Sequence, residues 1–155
     1  MSGILVGIDG SGHSQRALEW ALKEAALRRV PVTVLTVHQA VRDNLGFASR
    51  YAGDMDLTAK AEEAARAETE KVLAGLGSSR PESVTVSGVN GIPVEELIKA
   101  GEDADMIVVG SRGAGGFSRL LIGSVAGQVA QHAPCPVVIV RPGHRHRDPV
   151  TADPA

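Results

Sequence analysis

Five short apolar runs alternate with segments patterned as helices, and that alternation leaves few folds open to this chain. The runs are Ile4-Leu5-Val6-Gly7-Ile8, Val32-Thr33-Val34-Leu35-Thr36-Val37, Ser83-Val84-Thr85-Val86-Ser87-Gly88-Val89, Met106-Ile107-Val108-Val109 and Pro136-Val137-Val138-Ile139-Val140. Runs this short and this rich in β-branched residues read as buried parallel strands. After the first, Leu18, Ala21, Leu22 and Ala25 recur at helical spacing. Ser11 or Ser14 is placed to cap that helix, Arg28 and Arg29 sit at its dipole's negative end, and Pro31 stops it. Residues 38–55 show little periodicity and read as a loop containing Gly46 and Gly53. Residues 56–76 form a long helix rich in alanine and glutamate, ended by Gly75 and Gly77. Pro93 opens a third helix with Val94, Leu97 and Ile98 as its apolar stripe, and Ser124-Val125-Ala126-Gly127-Gln128-Val129-Ala130 opens a fourth. The expected fold is α/β: one doubly wound domain, a five-stranded parallel sheet with helices on both faces and right-handed crossovers.

A length of 155 residues suits one such domain. Sixteen basic against eighteen acidic residues give a net charge of −2, so nucleic acid and anionic membrane are not expected partners. The first residues, Met1-Ser2-Gly3-Ile4-Leu5, lack the basic region of a signal peptide, and no run approaches the length of a membrane span. Cys135 is the single cysteine, which excludes an intrachain disulfide and fits a reducing cytoplasm. The domain is expected over residues 1–141, with the polar, proline-containing residues 142–155 as a disordered tail.

The stretch with most chemistry is Gly110-Ser111-Arg112-Gly113, then nine residues, then Gly123-Ser124. A strand, a glycine-rich loop and a fresh helix N-terminus make an anion site, because close backbone approach, unpaired N–H groups and the helix dipole all favour negative charge. A phosphate chain is the natural ligand. The same glycines could serve turn geometry alone, so position must decide. Ligands of doubly wound sheets sit beyond the carboxyl ends of the strands at the switch point. For strand order 3-2-1-4-5, Asp9 and Gly110 end the two strands that flank it. The sequence contains no G-x-x-x-x-G-K-[ST] of a P-loop, and Gln15 stands where a dinucleotide fingerprint after Gly10-Ser11-Gly12 needs its third glycine.

Val6-Gly7-Ile8-Asp9-Gly10-Ser11, Gly91-Ile92-Pro93, Asp105-Met106-Ile107-Val108-Val109-Gly110-Ser111-Arg112-Gly113, Gly123-Ser124-Val125 and Ala133-Pro134-Cys135-Pro136-Val137 resemble the blocks of the universal stress protein family. The resemblance runs over residues 3–141, and its glycine signature is that of the ATP-binding branch. It implies strand order 3-2-1-4-5 and a homodimer through the last strand, residues 136–141, an apolar edge that needs covering. It also implies ATP as ligand, with the amides of Gly113, Ser124 and Val125 and the Ser124 hydroxyl on phosphate oxygens, beside Gly110 and Gly123. Arg112 adds a cationic contact or is a solvated loop arginine. Ile8 and Asp9 end the first strand at the nucleotide; Asp9 would take ribose hydroxyls or a magnesium ion on the phosphates, or simply form the turn that caps the first helix. Val37 matches the position whose backbone recognises adenine, and Gly91 the glycine near the nucleotide.

The remaining candidates are ordinary. Cys135 reads as a small buried hydrophobe, His132 as a favourable charge at a helix C-terminus, and Trp20 as packing. His144 and His146 in the tail read as inert, and Glu62, Glu63 and Arg66 as a solvated helix face. The function expected from the sequence is an ATP-binding regulator of the stress response with an unspecified protein partner. A slow ATP hydrolase or autophosphorylating enzyme, with Ser111 and Ser124 nearest the phosphates, is the enzymatic alternative. A nucleotide-free dimeric interaction module is the third.

Overall fold

A computed structural model describes residues 2–39, 41–42, 48–49, 53–112 and 122–143. Their order is β1 (Ile4–Ile8), α1 (Gly12–Arg28), β2 (Val32–Gln39), β3 (Val41–Arg42), β4 (Ala48–Ser49), α2 (Asp54–Ala74), β5 (Val84–Gly91), α3 (Pro93–Gly101), β6 (Met106–Gly110), α4 (Ser124–His132) and β7 (Val137–Val140). The main sheet has the order β5-β2-β1-β6-β7, every pair parallel. Counting its strands along the chain, this is the 3-2-1-4-5 arrangement. The two short strands β3 and β4 form a separate antiparallel ladder.

Side-chain alternation along the strands sorts the core into two layers. Ile4, Val6 and Ile8 of β1, with Val32 and Val34 of β2, pack under Leu18, Ala21, Leu22 and Ala25 of α1 and Ala65 and Leu73 of α2. Leu5, Leu35, Ile107 and Val109 face the other way, onto Leu97 of α3 and Ala126 and Val129 of α4. Burying each such leucine, isoleucine or valine contributes about 1.5–3 kcal/mol. The first two crossovers therefore cover one face and the last two the other. The reversal falls between β1 and β6, whose registers set Ile4 level with Met106 and Val6 level with Val108.

Several element boundaries differ from the sequence reading. Residues 38–55 are not one loop: His38 and Gln39 extend β2, Val41–Arg42 pairs with Ala48–Ser49, and α2 starts at Asp54. That helix ends at Ala74 instead of residue 76, because Gly75 takes over as its cap. β5 runs on to Gly91, since Asn90 and Gly91 stay in register with His38 and Gln39. Ser11, not Ser14, caps α1. Glu62 and Arg66 are not merely a solvated face, for both also bind the backbone of β5. Trp20 packs against the core as expected.

Candidate functional site

The turn after β1 is built by its own side chains. Asp9 Oδ1 accepts the Ser11 amide at 2.9 Å, an Asx turn that Gly10 completes at φ +83°. Ser11 Oγ then accepts the Ser14 amide at 3.2 Å, capping α1. The buried Ser14 hydroxyl closes the turn, accepting the Asp9 amide at 3.2 Å and donating to the Ser11 carbonyl at 3.0 Å. Asp9 thus fills its turn-forming role while its carboxylate stays at the end of β1.

One strand over, Gly110 ends β6 directly against α1. A Cβ there would lie 2.9 Å from the His13 carbonyl oxygen and 3.0 Å from its carbon, so this close approach requires glycine. Ser111 continues the ladder by donating its amide to the Val140 carbonyl at 2.9 Å. Its own carbonyl accepts the Gly123 amide at 2.6 Å, which ties the start of α4 to the end of β6.

That bond decides which α4 amides are left without an acceptor among the described residues. Gly123 is the N-cap, makes no side-chain cap bond, and its amide is already used. Its carbonyl accepts from Gly127 at 2.9 Å, which opens the helical ladder. The amides of Ser124 and Val125 lie before that point, where a helix supplies no acceptor, and among the described residues they have none. The Ser124 oxygen accepts from Gln128 Nε2 at 2.9 Å, which leaves its hydroxyl proton to donate. Arg112, next in the chain after Ser111, is half-buried. Gly113 and residues 114–121 of the glycine loop lie outside the described residues, as do His144 and His146 of the tail.

On the other side of β1, β2 outruns its neighbour. Ile8 is level with Thr36, and β2 continues through Val37, His38 and Gln39 with β5 alone beside it. Ile4 donates to the Pro31 carbonyl at 3.0 Å, which turns the odd-numbered carbonyls of β2 toward β1. The Val37 amide therefore reaches back to Ile8, and the Val37 carbonyl faces the space that β1 has left. Next to it, His38 Nε2 meets Asp54 Oδ1 at 3.1 Å, fixing the start of α2 to the end of β2. Gly91, the last residue of β5, is buried beneath Glu96.

The candidates thus form a row along the carboxyl edge of the sheet: Gly91 on β5, Val37 on β2, Ile8 and Asp9 at β1, and Gly110 on β6. Beyond them come Gly123, Ser124 and Val125 of α4. Three inter-strand spacings separate the ends of this row, about 14 Å. Within the row, on β2, stands the Val37 carbonyl, which accepts; past its β6 end stands the N-terminus of α4, which donates. Two features escaped the sequence reading: the His38–Asp54 pair, and the deep burial of Ser111, whose Oγ has no partner among the described residues. A tabulation of apolar and polar positions signals neither.

The universal stress protein family model matches residues 1–141. Universal stress protein Rv2028c of Mycobacterium tuberculosis (strain ATCC 25618 / H37Rv) is 39% identical over 152 residues, which cover 98% of this chain and 51% of that relative. Universal stress protein Rv2623 of the same strain is 36% identical over 140 residues, covering 89% and 44%. The chain therefore spans about half the length of these curated relatives. Among solved structures, UspA from Lactobacillus plantarum matches with a TM-score of 0.74 at 22% identity, covering 90% of this chain and 97% of that one. A universal stress protein in complex with cAMP matches at 0.63 and 25% identity, covering 90% and 96%. One from Archaeoglobus fulgidus in complex with dAMP matches at 0.60 and 25%, covering 90% and 98%.

Proposed function

The chain belongs to the universal stress protein family, and from that premise we propose that it is a nucleotide-dependent regulator binding ATP across the carboxyl ends of β2, β1 and β6. The observation that carries this reading is the start of α4, held beside β6 by the Gly123–Ser111 bond, with the Ser124 and Val125 amides unspent among the described residues. Those amides, the Ser124 hydroxyl and the helix dipole take the phosphates, with Gly113 and Arg112 completing the cradle. The Val37 carbonyl accepts from the exocyclic amine of adenine, with Gly91 beyond it. Asp9, at the end of β1 next to Ile8, meets the ribose hydroxyls. The row of sites has the polarity of a nucleotide, a donor-bearing base at one end and anionic oxygens at the other. Solved relatives in complexes with cAMP and dAMP support an adenine nucleotide as ligand.

The donor set also fits magnesium on the nucleotide. A bound magnesium ion would neutralise part of the phosphate charge, and Asp9 is the carboxylate of this crevice that would hold it. The groups assembled are amide donors, the Ser124 hydroxyl, the Arg112 guanidinium and the Asp9 carboxylate. They favour retention of the nucleotide, so the reading is regulation by occupancy, with the bound and empty states presenting different surfaces to a protein partner.

β7 supplies the second half of the proposal. Val138 and Val140 turn their backbone toward β6, which leaves the amides and carbonyls of Val137 and Ile139 facing outward. Pairing of residues 136–141 with a second copy would cover that edge. The test of nucleotide binding is direct. The freshly purified chain is heat-denatured and the supernatant chromatographed for ATP, ADP and AMP, and the protein is titrated with ATP by calorimetry. An adenine nucleotide in the supernatant or saturable ATP binding supports the reading; a clean supernatant with no binding at millimolar ATP contradicts it.

A further inference from the structure

Ser111 is 3% exposed, and its Oγ is buried without a hydrogen-bond partner among the described residues. A buried hydroxyl left unpaired is costly, and such groups are rare enough that each needs a cause. Its backbone is fully used, the amide on Val140 and the carbonyl on Gly123. The strand fixes where the side chain goes. Gly110 turns toward α1, where its missing Cβ would meet His13, so pleating turns Ser111 to the opposite face. That is the face of Ile107 and Val109, on which α4 packs. The Ser111 carbonyl lies 2.6 Å from the N-cap amide of that same helix. The other buried, unpartnered side-chain atom among the described residues is His13 Nδ1, whose residue flanks Gly110 from the α1 side. Unsatisfied polar groups are therefore concentrated at one strand end.

We infer that the Ser111 hydroxyl is a ligand-contacting group, donating to a phosphate oxygen seated on the first turn of α4. This rests on the nucleotide reading above. A hydroxyl donor buried beside amides that lack acceptors among the described residues is matched to an anionic oxygen, and the ligand would satisfy it. The hydroxyl thus discriminates for phosphate and is indifferent to the base.

Melting temperatures of the full chain and its Ser111→Ala variant are measured first, without ligand. Both are then titrated calorimetrically with ATP, adenosine and tripolyphosphate. The inference expects a melting temperature no lower in the variant, an ATP affinity weaker by about 10- to 100-fold, and an unchanged adenosine affinity. Equal ATP affinities overturn the role of Ser111 and leave the nucleotide site standing. A lower melting temperature in the variant also overturns it, because the hydroxyl would then be serving the fold. If the unaltered chain binds neither ATP nor adenosine, the nucleotide reading fails. In that case weaker tripolyphosphate binding by the variant still supports Ser111 as an anion contact, and no tripolyphosphate binding removes it as well.

Discussion

Glu62 Oε2 accepts the amide of Gly88 at 2.8 Å, so a helix side chain occupies a place that a neighbouring strand would otherwise take. Arg66, one turn further along α2, donates to the Val86 carbonyl at 3.4 Å and to Glu62 Oε1 at 3.0 Å. Val86 and Gly88 face away from β2, toward the open side of β5. The acid and the base thus satisfy one acceptor and one donor of an edge strand, which protects it from pairing with another chain. The β5 edge is closed in this way, whereas no such side-chain bond to the outer edge of β7 occurs among the described residues.

Close contact at this edge makes Gly88 intolerant of a side chain. A Cβ would lie 2.7 Å from Glu62 Cβ and 3.1 Å from the Thr58 carbonyl oxygen. Gly88→Ala should lift α2 and destabilise the fold by about 1–3 kcal/mol, read from the urea midpoint at unchanged slope.

The same contact gives the acid limb of stability a known contributor. The Gly88 amide first, and the Arg66 guanidinium second, hold the Glu62 carboxyl below its usual value. A lowered folded-state value means stability present above the ordinary carboxyl range and lost as pH falls through the lowered one. Urea unfolding between pH 7 and pH 3 should therefore show a shallower acid loss in Glu62→Gln than in the unaltered chain.

Glu68 behaves in the opposite sense. Burial first, and the charge of Asp9 second, raise its carboxyl above the usual value. Its ionisation opposes folding, so Glu68→Gln should be the more stable protein at pH 7. That advantage should shrink as pH falls and the glutamate takes up its proton; a gain independent of pH would contradict the assignment.

Two glycines separate packing from propensity. At Gly110 an added Cβ meets the His13 backbone at 2.9 Å, which cannot yield as a flexible side chain would. Gly110→Ala should cost about 1–3 kcal/mol and weaken ATP binding, because α1 and the Asp9 turn must move. At Gly127, inside α4, an added Cβ meets nothing within 4 Å. Gly127→Ala should stabilise by about 0.5–1 kcal/mol and leave ATP affinity alone.

Cys135 should be a poor nucleophile. Burial pushes its thiol above the ordinary range, and the Ile107 backbone only partly offsets this. Its alkylation by iodoacetamide at pH 7.5 should be slower than that of glutathione and should accelerate as pH rises past 9.

The strands, their parallel sense and the helices are legible because each apolar run and each helical stripe carries its own period, which burial on one or two faces imposes; the strand order comes from the resemblance to the family. The position of Asp9 and Gly110 at the switch point followed from that order alone. What was not legible depends on residues far apart in the chain. Glu62 meets Gly88 across 26 positions, His38 meets Asp54 across 16, and neither pair leaves a local pattern. The extension of β2 through His38 and Gln39 was missed for the same reason, since polar residues continue a strand only because β5 lies beside them. The Gly123 amide donates to the Ser111 carbonyl, a bond visible only once β6 and α4 are brought together.

Amide chemical-shift mapping by nitrogen–proton NMR tests the site most directly, with ATP and adenosine added separately to the labelled chain. ATP should move the Ser124 and Val125 amides most, with Ser111 and the Asp9 turn following. Adenosine should leave the α4 amides in place and perturb the end of β2 around Val37. Saturating ATP that shifts other regions and leaves the first turn of α4 unmoved would contradict the account.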